Sequence, residues 1–349
     1  MERRVRISLF FSSLLLGAAL GACRSDAPRP DDNAEAVVVV YTALDRIFSE
    51  PILDAFTAET GISVRAVYDT ESTKTVGLVN RIRAERNRPR CDVFWNNEIL
   101  NTLRLKSEDL LDAYTSPRDA FYPPAFHDAD GYWHGLAARA RVLIVNNDLV
   151  PESERPRSIF ELAEPRWKGR VALAKPLFGT TASHVACLYA RLGPDRAEAF
   201  LLSLRKNDVR IVAGNKTAAE LVGAGRIAVG FTDTDDAIIE QRGGRPVSIV
   251  LPDGDPAGIG TLLLPNTLAI VRGAPHPRAA RKLVDFLLRA QVEDRLAAGA
   301  SAQIPLSRDA RARTPFGPVE RIQCMRVDFS QAAAQFDRAA TFIETQFLE

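Results

Sequence analysis

The stretch VVVVYTALDRIFSEPILDAFTAETGISVRAVY, residues 37–68, decides the fold class. Four valines and a tyrosine in succession make a strand that is apolar on both faces, as in a parallel sheet. Ser49 and Pro51 then read as a helix start, with Ser49 as the cap and Pro51 in the first turn, where a missing N–H does no harm. Ile52, Ala55 and Phe56 fall on one helical face, Gly61 stops the helix, and residues 62–68 form a second strand. Strand, amphipathic helix and strand make a βαβ unit, so the expected fold class is α/β.

The same rhythm continues outward. A helix from about Ser72 to Arg86 leads to a third strand at residues 92–95. Residues 133–146 (WHGLAARARVLIVN) make one long strand, suited to crossing between two lobes, and residues 262–271 look like the return crossing. Between them lie strands at 171–174, 209–212, 227–231 and 247–251, and a helix from about Thr181 to Leu192. The C-terminal part is helical, with Leu283, Phe286, Leu287 and Ala290 on one face and Ala332, Phe336, Ala339 and Ile343 on another. The expected assembly is two α/β lobes joined by two strand crossings, with a ligand cleft between them. Residues 36–140 plus 262–349 form the first lobe and 141–261 the second. Open α/β sheets bind ligands beyond the C-terminal ends of their strands, and such clefts close by hinge motion.

A length of 349 residues suits about two domains. The content of 46% hydrophobic and 26% charged residues excludes a disordered chain. Lys+Arg 45 against Asp+Glu 44 leaves no basic field for nucleic acid. Arg3, Arg4 and Arg6 followed by the uncharged residues 7–20 read as an export signal. Leu20-Gly21-Ala22-Cys23 resembles the lipobox of bacterial lipoproteins, in which the cysteine carries diacylglycerol and the chain is cut just before it. The expected layout is therefore a signal peptide over residues 1–22 and a lipid-anchored polar linker over 23–35. The mature body would lie outside the cytoplasm, periplasmic or extracytoplasmic, and be tethered to a membrane through Cys23. Without the signal, 42 basic and 43 acidic residues give a net charge of −1. Cys91, Cys187 and Cys324 then remain and read as buried thiols, with a pair among them left open.

Three groups of residues carry chemistry. Thr180, Thr181 and Ser183 lie at a strand-to-helix junction (FGTTASH, residues 178–184), where hydroxyls and unsatisfied N–H groups grip an oxyanion or serve as ordinary caps. Arg139 and Arg141 alternate along the crossing strand and point to one side, to clamp an oxyanion or to pair with an acid. Asp233, Asp235 and Asp236 follow a strand, to hold a cation or to complement a helix dipole. An anion grip beside an acidic subsite suits a zwitterion such as an aminoalkylphosphonate. The enzyme alternative is a metal-dependent hydrolase using Asp233, Asp235 and Asp236. No GxSxG elbow, P-loop, GxGxxG or HExxH spacing accompanies it.

Four of these stretches, VVVYTALDRIFSEPILDAFTAETGISVRAVYD, CDVFWNNEIL, ARARVLIVN and VGFTDTDD, resemble the periplasmic ferric-iron-binding proteins of ABC importers in order and spacing. The likeness runs from about Val37 to about Leu306. It implies a two-lobed periplasmic binding protein of class II that hands a small molecule or ion to an ABC permease, with no catalysis and as a monomer. It also implies a ligand set that begins at Thr42 in the Tyr-Thr-Ala opening. Asp45 stands where family members place a first ligand, and Asn97 or Glu98 where they place a carboxylate. Asp235-Asp236 replace the adjacent tyrosines whose phenolates hold Fe(III) in that family; this chain has no Tyr-Tyr. No cofactor is expected unless the ligand is a metal ion with a synergistic anion. Asp45, Glu98, Asp235 and Asp236 are then the metal candidates.

Overall fold

The structure, a computed structural model, describes residues 36–69 and 76–349. The expected signal peptide, linker, lipidated Cys23 and helix start at Ser72 lie outside the described residues. The first part runs β1 (Val37–Thr42), α1 (Arg46–Thr60), β2 (Ser63–Tyr68), α2 (Val76–Ala84), β3 (Val93–Asn96), α3 (Leu100–Ser107) and β4 (Leu111–Asp112). The long β5 (His134–Asn146) follows. Then come β6 (Val171–Ala174), α4 (Gly179–Leu192), α5 (Pro194–Lys206), β7 (Arg210–Val212), α6 (Asn215–Gly223), β8 (Val229–Asp233), α7 (Thr234–Arg242) and β9 (Val247–Val250). The chain returns through β10 (Leu263–Val271) and ends in α8 (Pro277–Leu287), α9 (Ala290–Ala298) and α10 (Phe329–Phe342).

The strands pair in the order β2-β1-β3-β10-β5-β8-β6-β7, with β4 beside β10 and β9 beside β5. β1 is parallel to β2 and β3, and β6 is parallel to β7 and β8. The antiparallel pair of β5 and β10 joins these two sets. Residues of β5 up to Ala140 pair with β10, whereas Arg141 onward pairs with β8. One strand therefore belongs to both halves, as its length and apolar run suggested.

Alternation along the strands sends side chains to two layers. Tyr41, Phe94, Leu143, Val145 and Leu173 pack into one core under α2, α3, α4, α5 and α10. Val38, Val40, Val93 and Trp95 face α1, α8 and α9, and Val142 and Ile144 face α6. α10 lies against both α3 and α4, so the C-terminal helix is packed onto both halves of the sheet.

One local expectation is corrected and one helix is added. α1 begins at Arg46 with Asp45 in the cap position, so Ser49 lies inside the helix and Pro51 follows it. The buried Ser49 hydroxyl donates back to the carbonyls of Asp45 (3.1 Å) and Leu44 (3.2 Å). Pro51, on the exposed side of the helix, removes one N–H from its ladder. The sequence reading also passed over α5, although Ala197, Phe200, Leu201 and Leu204 form its buried stripe. Cys91 and Cys187 are buried as expected and Cys324 is only half-buried; all three are unpaired, and burial pushes each thiol above its ordinary range.

Candidate functional site

The C-terminal ends of β1, β6, β7 and β8 each turn directly into a helix, and all four helix N-termini open on one cleft. Asp45 represents α1; Phe178, Gly179, Thr180 and Thr181 represent α4; Gly214 and Asn215 represent α6; Asp233, Asp235 and Asp236 represent α7. None of the four cap residues closes its helix with a side-chain hydrogen bond. The positive ends of four helices therefore border the same small volume, with the Asp236 N–H already taken by Asp235 Oδ1 at 3.1 Å.

A buried network forms the floor. Arg141 Nη1 donates to Asp233 Oδ1 at 2.7 Å, to Asn215 Oδ1 at 3.0 Å and to Thr180 Oγ1 at 3.3 Å. Thr180 Oγ1 donates to Asp233 Oδ2 at 2.6 Å, and Asn215 Nδ2 donates to the same oxygen at 3.0 Å. The Arg141 guanidinium also stacks over Phe231, 4.5 Å from the ring centre. Arg139 lies 3.5 Å from Asp235 and 3.6 Å from Asp233, and it donates to the Asn97 carbonyl. Thr181 Oγ1 donates to Asn215 Oδ1 at 3.0 Å. Thr180, Asn215 and Arg141 thus already grip a carboxylate, the protein's own Asp233.

Burial pushes the Asp233 carboxyl up, but the Arg141 and Arg139 charges and the Thr180 bond outweigh it and hold the group below the usual range. Burial works against the Arg139 charge as well, and the fields of Asp235, Asp233, Asp236 and Asp45 overcome it. Behind the floor, burial and then the Arg141 charge hold His184 well below its ordinary value. His184 is therefore neutral, edge-on to Phe231 at 4.9 Å.

Asp45, Asn97, Arg139, Thr180, Thr181, Asp233, Asp235 and Asp236 line the cleft, with Arg141 fully buried beneath it. Three other expected residues lie outside that lining. Thr42 Oγ1 accepts from Leu44 N at 3.2 Å within the turn after β1. Glu98 is fully buried, accepting from Leu100 N at 2.7 Å, Asn101 N at 3.1 Å and Asn96 Nδ2 at 2.9 Å. Ser183 donates to Glu98 at 2.7 Å and so faces away from the cleft. Asn215, Lys175 and Phe178 line the cleft without having been singled out. The strand-end rule that selected Thr180 and Asp233 applies equally to Gly214-Asn215 after β7, which was the available signal.

Ligand atoms of Asp233, Asp235 and Asp236 lie within 4.8 Å of one another. The cleft is narrow, with a volume of about 30 Å3. A larger groove of about 770 Å3 lies beside α3 and the start of α10, among Ile99, Leu103, Phe126, Trp133 and Phe329. Two of its lining cations, Arg104 and Lys106, pair with Asp337 and Asp128, and the larger share of convergent polar side chains lies in the smaller cleft.

A family model for bacterial extracellular solute-binding proteins matches residues 101–318. The chain belongs to this family. The iron uptake protein A1 of Synechocystis is 26% identical to this solute-binding protein over 303 residues, 82% of either chain. A periplasmic protein of Salmonella typhimurium named for 2-aminoethylphosphonate binding is 26% identical over 270 residues, 75% of this chain and 77% of its own. Iron-bound HitA of Pseudomonas aeruginosa superposes with a TM-score of 0.78 at 24% identity, covering 88% of this chain and 99% of its own. The fold is thus that of the two-lobed periplasmic binding proteins. The family consists of extracytoplasmic binding proteins, which removes the hydrolase alternative. No helix among the described residues is long and apolar enough to cross a membrane.

Proposed function

We propose that this solute-binding protein captures a small zwitterion with a phosphonate or phosphate head and an amine, and hands it to an ABC permease. The observation that carries this proposal is the convergence of four helix N-termini without side-chain caps on one cleft that also holds Asp45, Asp235 and Asp236. The anionic head meets first-turn N–H groups and Thr181, while Arg139 and Arg141 offset the charges of Asp233 and Asp235. The ammonium end meets the aspartates. A phosphate ester with hydroxyls uses the same grip.

The iron alternative, a metal ion with a synergistic anion, loses one of its four candidates because Glu98 is held at the start of α3. It retains Asp45, Asp235 and Asp236. Relatives bear names for both iron and aminophosphonate, so the panel below includes both.

Capture begins with the lobes apart, because the cleft draws Asp45, Asn97 and Arg139 from one and Thr181, Asn215 and Asp235 from the other. The lobes, residues 36–140 with 262–349 and residues 141–261, close about β5 and β10. Binding therefore shifts a population of conformers without covalent chemistry. The monomeric receptor is held at the membrane by the lipid on Cys23.

A thermal-shift panel tests the proposal. A ligand that binds only the native state raises the unfolding midpoint. 2-Aminoethylphosphonate should raise it, and Thr181→Ala and Asp236→Asn should each reduce the rise. A rise with Fe(III) and bicarbonate, and none with phosphonates or phosphate esters, would overturn it.

A further inference from the structure

β5 contains one residue too many for its partner. Asn266 of β10 pairs with Leu136 and Pro265 with Ala138, which leaves Ala137 as the extra residue of a β-bulge. Ala137 has φ 35°, in the left-handed region that favours glycine. Both backbone groups freed by the bulge are taken by side chains. Ala137 N donates to Glu293 Oε1 at 2.6 Å, and the Ala137 carbonyl accepts from Asn266 Nδ2.

Glu293 has no exposed surface, and its other contacts are backbone too. It accepts from Ser307 N at 2.7 Å and Leu306 N at 3.0 Å. The same segment returns to the strand, where Ile304 and Ala138 exchange hydrogen bonds of 2.7 and 2.8 Å. A carboxylate from α9 thus ties the bulge to a second stretch of chain.

The consequence lies two and four residues downstream. A one-residue shift along a strand moves every later side chain to the opposite face. With the bulge in place, Arg139 and Arg141 meet Asp235 and Asp233. We propose that Glu293 is a positioning residue for the cleft: its carboxylate holds the bulge at Ala137, and the bulge aims Arg139 and Arg141. The binding arm of the test rests on the proposed ligand class.

The experiment uses the full chain in detergent, with 2-aminoethylphosphonate titrated calorimetrically into the parent, Glu293→Gln, and Glu293→Gln combined with Ala137→Gly. Glycine adopts the left-handed conformation without help, so it restores the bulge that Glu293 otherwise holds. The expected result is binding about tenfold weaker in Glu293→Gln and recovery in the double variant. Parent-like binding in Glu293→Gln, or no recovery in the double variant, would overturn the proposal. If Glu293→Gln alone does not fold, a folded and binding double variant supports it and an unfolded one overturns it. If the parent ignores this probe, the ligand class is wrong, and hydrogen exchange across residues 136–142 decides. Faster exchange in Glu293→Gln, reversed by Ala137→Gly, supports the role of Glu293, and unchanged exchange overturns it.

Discussion

Arg141 carries its charge with no exposed surface, and Asp233 together with Thr180 and Asn215 makes that tolerable. Removing one partner of such a pair leaves the other buried and uncompensated. Arg141→Ala should therefore cost about 3–5 kcal/mol in urea unfolding, whereas Thr181→Ala should cost about 1 kcal/mol. Arg141→Ala is thus a poor probe of ligand contact and Thr181→Ala a good one. His184 gives a pH test. Folded, it stays neutral because burial and Arg141 lower its pKa; unfolded, it takes a proton below about 6.5. The unfolded state then binds more protons, so this contribution is present above that pH and is lost as the pH falls below it. His184→Leu should flatten the stability profile between about pH 7 and 5 in denaturant titrations. At this scale, strand alternation was enough to put Arg139 and Arg141 on one side. The partners of Glu98 and Ser183 were not legible, because a side chain's identity does not say which backbone groups surround it.

Elements were legible where a period repeats and less so at their ends. β5, β6 and β10 follow from apolar runs, and α4 from the stripe of Val185 and Leu188. The start of α1 was misread because Ser-Glu-Pro carries the chemistry of a helix N-terminus. The turn after β1, closed by Thr42 on Leu44, instead starts the helix at Arg46. The same accounting gives Glu98 an element-scale role: it satisfies the first N–H groups of α3 and receives Ser183 of α4. Glu98→Ala should lower stability by about 1–3 kcal/mol while leaving the affinity of the folded protein unchanged. Unfolding curves and titrations on one preparation check both halves. A ligand role for Glu98 would reverse the pattern.

For the whole molecule, two parallel sets of strands share the antiparallel pair of β5 and β10, and α10 packs on both halves. The proposed closure would therefore bend the β5–β10 pair and move α10 against one half. Small-angle scattering should show a smaller radius of gyration with ligand than without, and an unchanged radius would argue against lobe closure. The order of βαβ units made the architecture legible from sequence. The cleft was only partly so, because it draws residues from four separate strand ends that meet only after folding. The most direct test of the zwitterion proposal is a calorimetric titration with 2-aminoethylphosphonate, ethylphosphonate, ethylamine and Fe(III) with bicarbonate. Losing either charged end should weaken binding by at least about tenfold relative to 2-aminoethylphosphonate. Equal affinity for ethylphosphonate, or tight binding of Fe(III) alone, would contradict a cleft built to read both ends of a zwitterion.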